Sequence, residues 1–248
     1  MKETTSLKQA NIDNLTSLWK TVGSSFNAYS KMSGFEYCEI QNAEWPNRVW
    51  FNQNITQQTV DSLKEKIAAS TSKITLPVWN IEHQKEASIL ERNGFKATFE
   101  QVGMLLKIQS RFETEGHVKI QRVANETEAK LWAELFKKSF GYIISHETVS
   151  KTYKDINFYI AYHDHVAVGT ALLHKTDRIL GVHSVGIPPE MRRRGYAEQI
   201  MKLLINLAVE NQYEYITLQA SSMGKHLYLK LGFEEQFLIR NYTLKHYT

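Results

Sequence analysis

The chain has 248 residues, of which 42% are hydrophobic and one is cysteine, enough apolar material for one large domain or two ordinary ones without disulfides. Cys38 has no internal partner and no metal-ligand cluster around it in sequence, which excludes a disulfide framework and leaves a buried structural thiol in a reducing compartment, with no metal site. The net charge of +4 lies wholly in the second half, with 13 basic and 13 acidic residues through Glu115 and 17 against 13 after it, a surplus that fits a small anionic ligand and no nucleic-acid partner.

At the start of the chain, residues 1–15 have no apolar core of signal-peptide type, and nowhere do eighteen apolar residues run together. The expectation is a soluble, cytoplasmic protein with no membrane partner. Further on, residues 89–107 set against 228–245 at an offset of 138 bring Gly94, Phe95, Phe99, Leu106 and Lys107 onto Gly232, Phe233, Phe237, Leu244 and Lys245. Upstream, Ile74-Thr75-Leu76 meets Ile216-Thr217-Leu218 at an offset of 142. These matches predict an internal repeat, with a four-residue difference between strand and following helix. The Trp45 to Phe51 and Pro77 to Trp79 aromatics read as core. A polar stretch, QSRFETEG at 109–116, reads as the linker, which divides the chain into residues 1–113 and 114–248.

In the second part, residues 117–123 predict a strand, 126–140 a helix, and 158–162, 166–174 and 179–187 successive strands. After Pro188-Pro189, Tyr196, Ile200, Leu203, Leu204, Leu207 and Ala208 fall on one face of a helix that begins near Gly195. Residues 215–218 predict a short strand, Ser221 or Ser222 the N-cap of a helix reaching Leu231, Gly232 its stop, and 237–244 a last strand. The fold class is α/β in the broad sense, a mixed sheet flanked by helices.

The strongest chemical signal is the strand, turn and helix at 185–197, VGIPPEMRRRGYA. Such a sequence sets consecutive backbone N–H groups at a helix N-terminus, with glycine for close approach and arginines beside it, which suits a diphosphate. With Arg192, Gly195 and Ala197 in the pattern of its cofactor loop, the segment resembles the GNAT superfamily of acyl-CoA-dependent N-acyltransferases. The stretch 227–233, LYLKLGF, resembles that family's second cofactor segment, and the likeness spans about Val118 to Leu244. It implies a mostly antiparallel sheet, and by the repeat a tandem of two such domains, the first degenerate.

The resemblance implies acetyl-CoA as acyl donor, held by its diphosphate on the backbone of Arg193, Arg194, Gly195, Tyr196, Ala197 and Glu198, next to Arg192. It gives Val185 and Ile187 to the pantetheine arm. Tyr228 stands where family members place a proton-donating tyrosine, and a phenol can assist a departing thiolate. An alkylammonium must also lose a proton before it attacks. His183 is the candidate base, on a strand where relatives often carry a glutamate, and it shares a face with Val185 if the strand is regular. Ser184 then faces away, unless a bulge changes the parity. Ser221 replaces an asparagine that helps to hold the cofactor. The first half lacks a diphosphate loop and has Leu90 where Tyr228 would repeat, so it is expected to wall the acceptor cleft. The reading is transfer of an acyl group, by default acetyl, to a primary amine; its alternative is a non-catalytic acyl-CoA sensor. The acceptor and oligomeric state are not legible.

Overall fold

The computed structural model describes residues 2–79, 84–114 and 116–244, so Glu115 of the expected linker and Lys245 of the repeat lie outside the described residues. The first half runs α1 (Lys2–Ser24), β1 (Tyr29–Lys31), β2 (Phe35–Cys38), β3 (Arg48–Phe51), α2 (Gln57–Ala68), β4 (Leu76–Trp79), α3 (Gln84–Arg92) and β5 (Phe95–Lys107). The second runs β6 (Val118–Arg122), α4 (Glu126–Phe140), α5 (His146–Thr152), β7 (Asn157–His163), β8 (Val166–Thr176), β9 (Ile179–Gly186), α6 (Tyr196–Glu210), β10 (Tyr215–Ala220), α7 (Lys225–Lys230) and β11 (Glu234–Leu244). From α4 onward the second half repeats the order of the first, with the added helix α5 and the leading strand β6.

A three-stranded sheet β1-β2-β3 adjoins an eight-stranded sheet of order β4-β11-β5-β10-β9-β8-β7-β6, which is antiparallel except between β9 and β10. The repeat can be read directly in its ladder. Moving each β5 residue forward by 138 and each β11 residue back by 138 turns Leu238↔Val102 into Arg240↔Glu100, and Glu235↔Met104 into Tyr242↔Ala97, all of them observed pairs. With 142 for β4 and β10, Leu218↔Met104 becomes Leu76↔Tyr242 and Ala220↔Val102 becomes Val78↔Arg240, again observed. The two offsets found in the sequence are therefore those of a pseudo-two-fold axis between β5 and β11. Each half lends its last strand to the other: β11 pairs with β4, and β5 pairs with β10. Gly94 and Gly232 end the two preceding helices with the same φ of +88°, a left-handed turn that glycine adopts without a Cβ clash.

Helix α1 joins the halves from another direction. Its Leu15, Leu18, Trp19 and Val22 share one core with Trp45 and Trp50 of the first half and Trp132, Phe136 and Phe158 of the second. Burying each such side chain is worth about 1.5–3 kcal/mol. The same helix carries a polar stripe onto the sheet. Fully buried Asn11 donates to the Met104 carbonyl at 3.1 Å and to Gln236 Oε1 at 2.8 Å, and fully buried Asn14 donates to the His174 carbonyl at 3.0 Å and Thr176 Oγ1 at 2.8 Å.

Several details differ from the sequence reading. Met201 and Ile205 are buried in α6 whereas Leu203 and Leu207 are half-buried, so the apolar stripe is rotated along the helix. Helix α7 begins at Lys225 with Gly224 at its N-cap, because Ser221 caps the turn before it instead, accepting from the Gly224 N–H at 3.3 Å. Strand β11 begins three residues earlier than expected, at Glu234, where pairing with β5 extends it. Cys38 is fully buried, and burial pushes its thiol up to about 12.

Candidate active site

Strands β9 and β10 are parallel neighbours for three pairs only, Tyr215↔Ile179, Ile216↔Leu180 and Thr217↔Gly181. Beyond these they part, although β9 continues to Gly186 and β10 to Ala220. The V opens at the carboxyl ends of both strands, where parallel crossovers leave room for ligands. Within it Ser184 has a φ of +55° and the β8–β9 register slips between Thr170↔Gly186 and Leu172↔His183. This bulge removes the regular alternation, and His183, Ser184 and Val185 all line one cavity. The expectation that Ser184 faces away therefore gives way to the bulge.

From the end of β9 the chain passes Pro188 and a 3-10 turn at Pro189–Met191 into α6. Arg193 and Gly195 have φ of +63° and +77°, which curls the loop over the helix end. Among the described residues, no group accepts a hydrogen bond from the N–H of residues 193–198, and the first bond into the helix is from the Gln199 N–H to the Gly195 carbonyl at 3.1 Å. Six successive donors thus meet the positive end of a 15-residue helix with no side-chain cap. The corresponding helix α2 is closed: Thr56 accepts from the Thr59 N–H at 3.2 Å, and Thr59 returns the bond to the Thr56 N–H at 2.9 Å.

The three arginines differ. The Arg192 N–H donates to the Pro189 carbonyl at 3.3 Å, and its guanidinium donates to the Ile187 carbonyl at 3.0 Å and the Ser139 carbonyl at 2.9 Å, so it braces the loop from within. Arg193 and Arg194 are exposed and, among the described residues, face no carboxylate. Tyr196 is buried, and Glu198 ties α6 to α7 through Lys230 at 2.8 Å and pairs within α6 with Lys202 at 3.1 Å, bonds that hold its carboxyl below the usual range.

Tyr228 on α7 faces the cavity without a hydrogen-bond partner among the described residues, its ring edge-on to Phe233 with centroids 5.8 Å apart. Burial raises its phenol to about 12, so it is protonated at neutral pH. The ring has room because residue 224 is glycine; a Cβ there would stand 3.1 Å from it. Its counterpart Leu90 is fully buried in the first half's core. His183 is held down to about 3, first by desolvation and then by neighbouring His174. Its neutral Nε2–H meets Asn14 Oδ1 at 3.3 Å, on an amide whose donors already fix its orientation.

The cavity, about 720 Å³, brings together Val185, Ser221 and Tyr228 with Trp19, Trp45, Arg48 and Phe99 of the first half. The Asn11 and Asn14 stripe beneath His183 and Gln219 escaped the sequence reading. Its signal was polar residues spaced i, i+3 inside the apolar face Ile12, Leu15, Leu18, Trp19.

A family model described as an acetyltransferase (GNAT) domain matches residues 154–235, from the approach to β7 into the start of β11. A search of curated proteins finds no match. Among solved structures, a GCN5-related N-acetyltransferase from Kribbella flavida superposes with a TM-score of 0.72 at 13% identity, covering 95% of this chain and 96% of that one. One from Sphaerobacter thermophilus gives 0.63 at 13% identity, with coverage of 85% and 76%. A tandem GNAT protein from the clavulanic acid biosynthesis pathway gives 0.58 at 11% identity, with coverage of 84% and 77%. At these identities the likeness is one of fold.

Proposed function

We propose, from the match of residues 154–235 to an acetyltransferase (GNAT) domain, that the protein is an N-acyltransferase moving an acyl group, by default acetyl, from CoA to a primary amine. The observation that carries the reading is the row of unpartnered N–H groups at 193–198 beside the opened β9–β10 edge. The N–H row and the exposed guanidinium groups of Arg193 and Arg194, the latter also donating to the Glu190 carbonyl at 3.4 Å, fit a diphosphate. Val185 and Ile187, at the parting of the strands, suit the amide groups of the pantetheine arm. Ser221 lines the same cavity and can accept a further bond.

The amine attacks the thioester carbon, forming the C–N bond; collapse of the tetrahedral intermediate breaks C–S and leaves a thiolate. Phenols lie near 10 and thiols near 8.5, so complete proton transfer from Tyr228 to a free thiolate is uphill, and burial makes it more so. This ordering corrects the simplest picture of the phenol as a proton source. Its contribution is a hydrogen bond to sulfur as charge develops, while the proton given up by the amine balances the thiol. A ring held at about 3 is also a poor acceptor from an alkylammonium near 10.4. His183 is therefore assigned to positioning, with water in the cavity as the route for the proton.

A panel of primary amines with acetyl-CoA, followed by release of free thiol, tests the reading. The expected result is turnover of a subset of amines together with a rise in Tm on adding CoA. A protein that CoA stabilises but that acetylates nothing would instead be an acyl-CoA sensor.

A further inference from the structure

The acceptor side of the cavity is built by both halves and has its own chemistry. Phe99, Phe140 and Tyr142 remain 46%, 40% and 37% exposed, unusual for large aromatic groups, and all three line the cavity with Trp19 and Trp45. Such walls suit an apolar body in the bound molecule.

Among them stands Arg48, at the start of β3. It is partly buried, its guanidinium lies 6.0 Å over the Trp19 ring, and the one hydrogen bond it makes among the described residues is from Nη1 to the adjacent Asn47 carbonyl at 3.2 Å. No described carboxylate lies within ion-pair distance of it. The acidic groups that line the same cavity are engaged: Glu44 accepts from the Ile143 N–H, and Glu100 pairs with Arg240 at 2.7 Å. Lys73 adds a second positive charge at the wall. A partly buried guanidinium that spends one of its five donors on the described residues can turn the others to a ligand in the cavity. The backbone places it deliberately, since the parallel bridge Arg48↔Thr75 is the first half's counterpart of Gly181↔Thr217, where the catalytic-side strands begin to part.

We infer that the cavity selects amine acceptors carrying a carboxylate, which Arg48 receives while the aromatic walls hold the apolar stem. This specificity assignment rests on the acyl-transfer reading for the fate of the amine, but the anion site itself does not.

Matched pairs test it: phenylalanine with phenethylamine, tryptophan with tryptamine, and 6-aminohexanoate with hexylamine, each assayed with acetyl-CoA. Their N-acetylated forms are titrated calorimetrically into the CoA-saturated protein. A charge-assisted, partly buried bond predicts that at least one carboxylated member exceeds its partner by about 10- to 100-fold in kcat/KM or affinity. Arg48→Met should abolish that preference while leaving the carboxylate-free partner and CoA binding unchanged, and Arg48→Lys should restore part of it. Because Arg48→Met can disturb folding, Arg48→Gln is measured beside it, each with its Tm. No preference in any pair, or a preference that survives both Arg48→Met and Arg48→Gln, overturns the inference. Turnover of carboxylate-free amines with no preference leaves acyl transfer standing and removes the carboxylate site. Calorimetric preference without thiol release from any amine does the reverse.

Discussion

At Tyr228 a phenol faces the cavity without a hydrogen-bond partner among the described residues, which separates its chemical role from a structural one. Tyr228→Phe, which removes one hydrogen-bond donor to the developing thiolate, should therefore lower kcat by about 10²- to 10³-fold, with Tm and CoA affinity close to wild type; an unchanged kcat for every accepted amine would remove the phenol from the reaction. His174, which is buried, and His183, which is half-buried, make a second prediction at this scale. Desolvation holds His174 at about 4 and His183 at about 3, both below the ordinary 6.5. Above 6.5 both rings are neutral in the folded and unfolded chain and stability is unaffected. As pH falls below 6.5 the unfolded chain takes up protons that the folded one refuses, so stability is lost progressively until the folded values are reached. The slope is on the order of 1.4 kcal/mol per pH unit per histidine. Thermal melts between pH 7 and 4.5 should show Tm falling, and His174→Gln should flatten that fall; a flat wild-type profile would mean that the rings are not desolvated.

The two equivalent helix starts, one closed and one open, govern what each half can do. Thr56 and Thr59 satisfy the first turn of α2 from within, so Thr56→Ala should cost about 0.5–2 kcal/mol of stability and leave the CoA-induced rise in Tm intact. At α6 the corresponding groups are free. Gly195 has a φ of +77° and open space on the side where a methyl group would stand, its nearest neighbour there being Gln199 at 3.9 Å. Gly195→Ala should therefore cost about 1–2 kcal/mol from backbone strain and, on the proposed diphosphate site, also weaken CoA binding, because the methyl would stand at that site. Equal CoA affinity in wild type and Gly195→Ala, measured by calorimetry, would show that the ligand does not approach this turn. Part of this scale was legible in sequence, since the Gly232 stop and the 185–197 run are local signals, whereas the N-cap expected at Ser221 or Ser222 is Gly224. The bulge at Ser184 was not, because its cause is the register of β8 against β9. Nor was the internal bracing by Arg192, whose partner carbonyl on Ser139 lies 53 positions away.

For the whole molecule, the repeat in the sequence showed that the halves are related but not how they combine. Strand partners are a non-local choice, and β5 with β11 would satisfy the same alternation in either half. The exchange of last strands, the shared core under α1 and the placing of Arg48 and Tyr228 on one cavity all depend on that choice. Residues 114–248 expressed alone would lose β5 from the edge of β10 and α1 from beneath β8 and β9. That fragment should show no cooperative melt and no stabilisation by CoA. A fragment that melts cooperatively and is stabilised by CoA would show that β11 can take the place of β5.

All of this chemistry depends on where the CoA diphosphate sits, and a crystal structure of the full chain with CoA measures that directly. Both phosphoryl groups should lie within about 3 Å of the amide nitrogens in residues 193–198, with the pantetheine arm entering between β9 and β10 and the sulfur directed toward Tyr228. A complex with that turn vacant and the diphosphate bound elsewhere would contradict the proposed chemistry at its root.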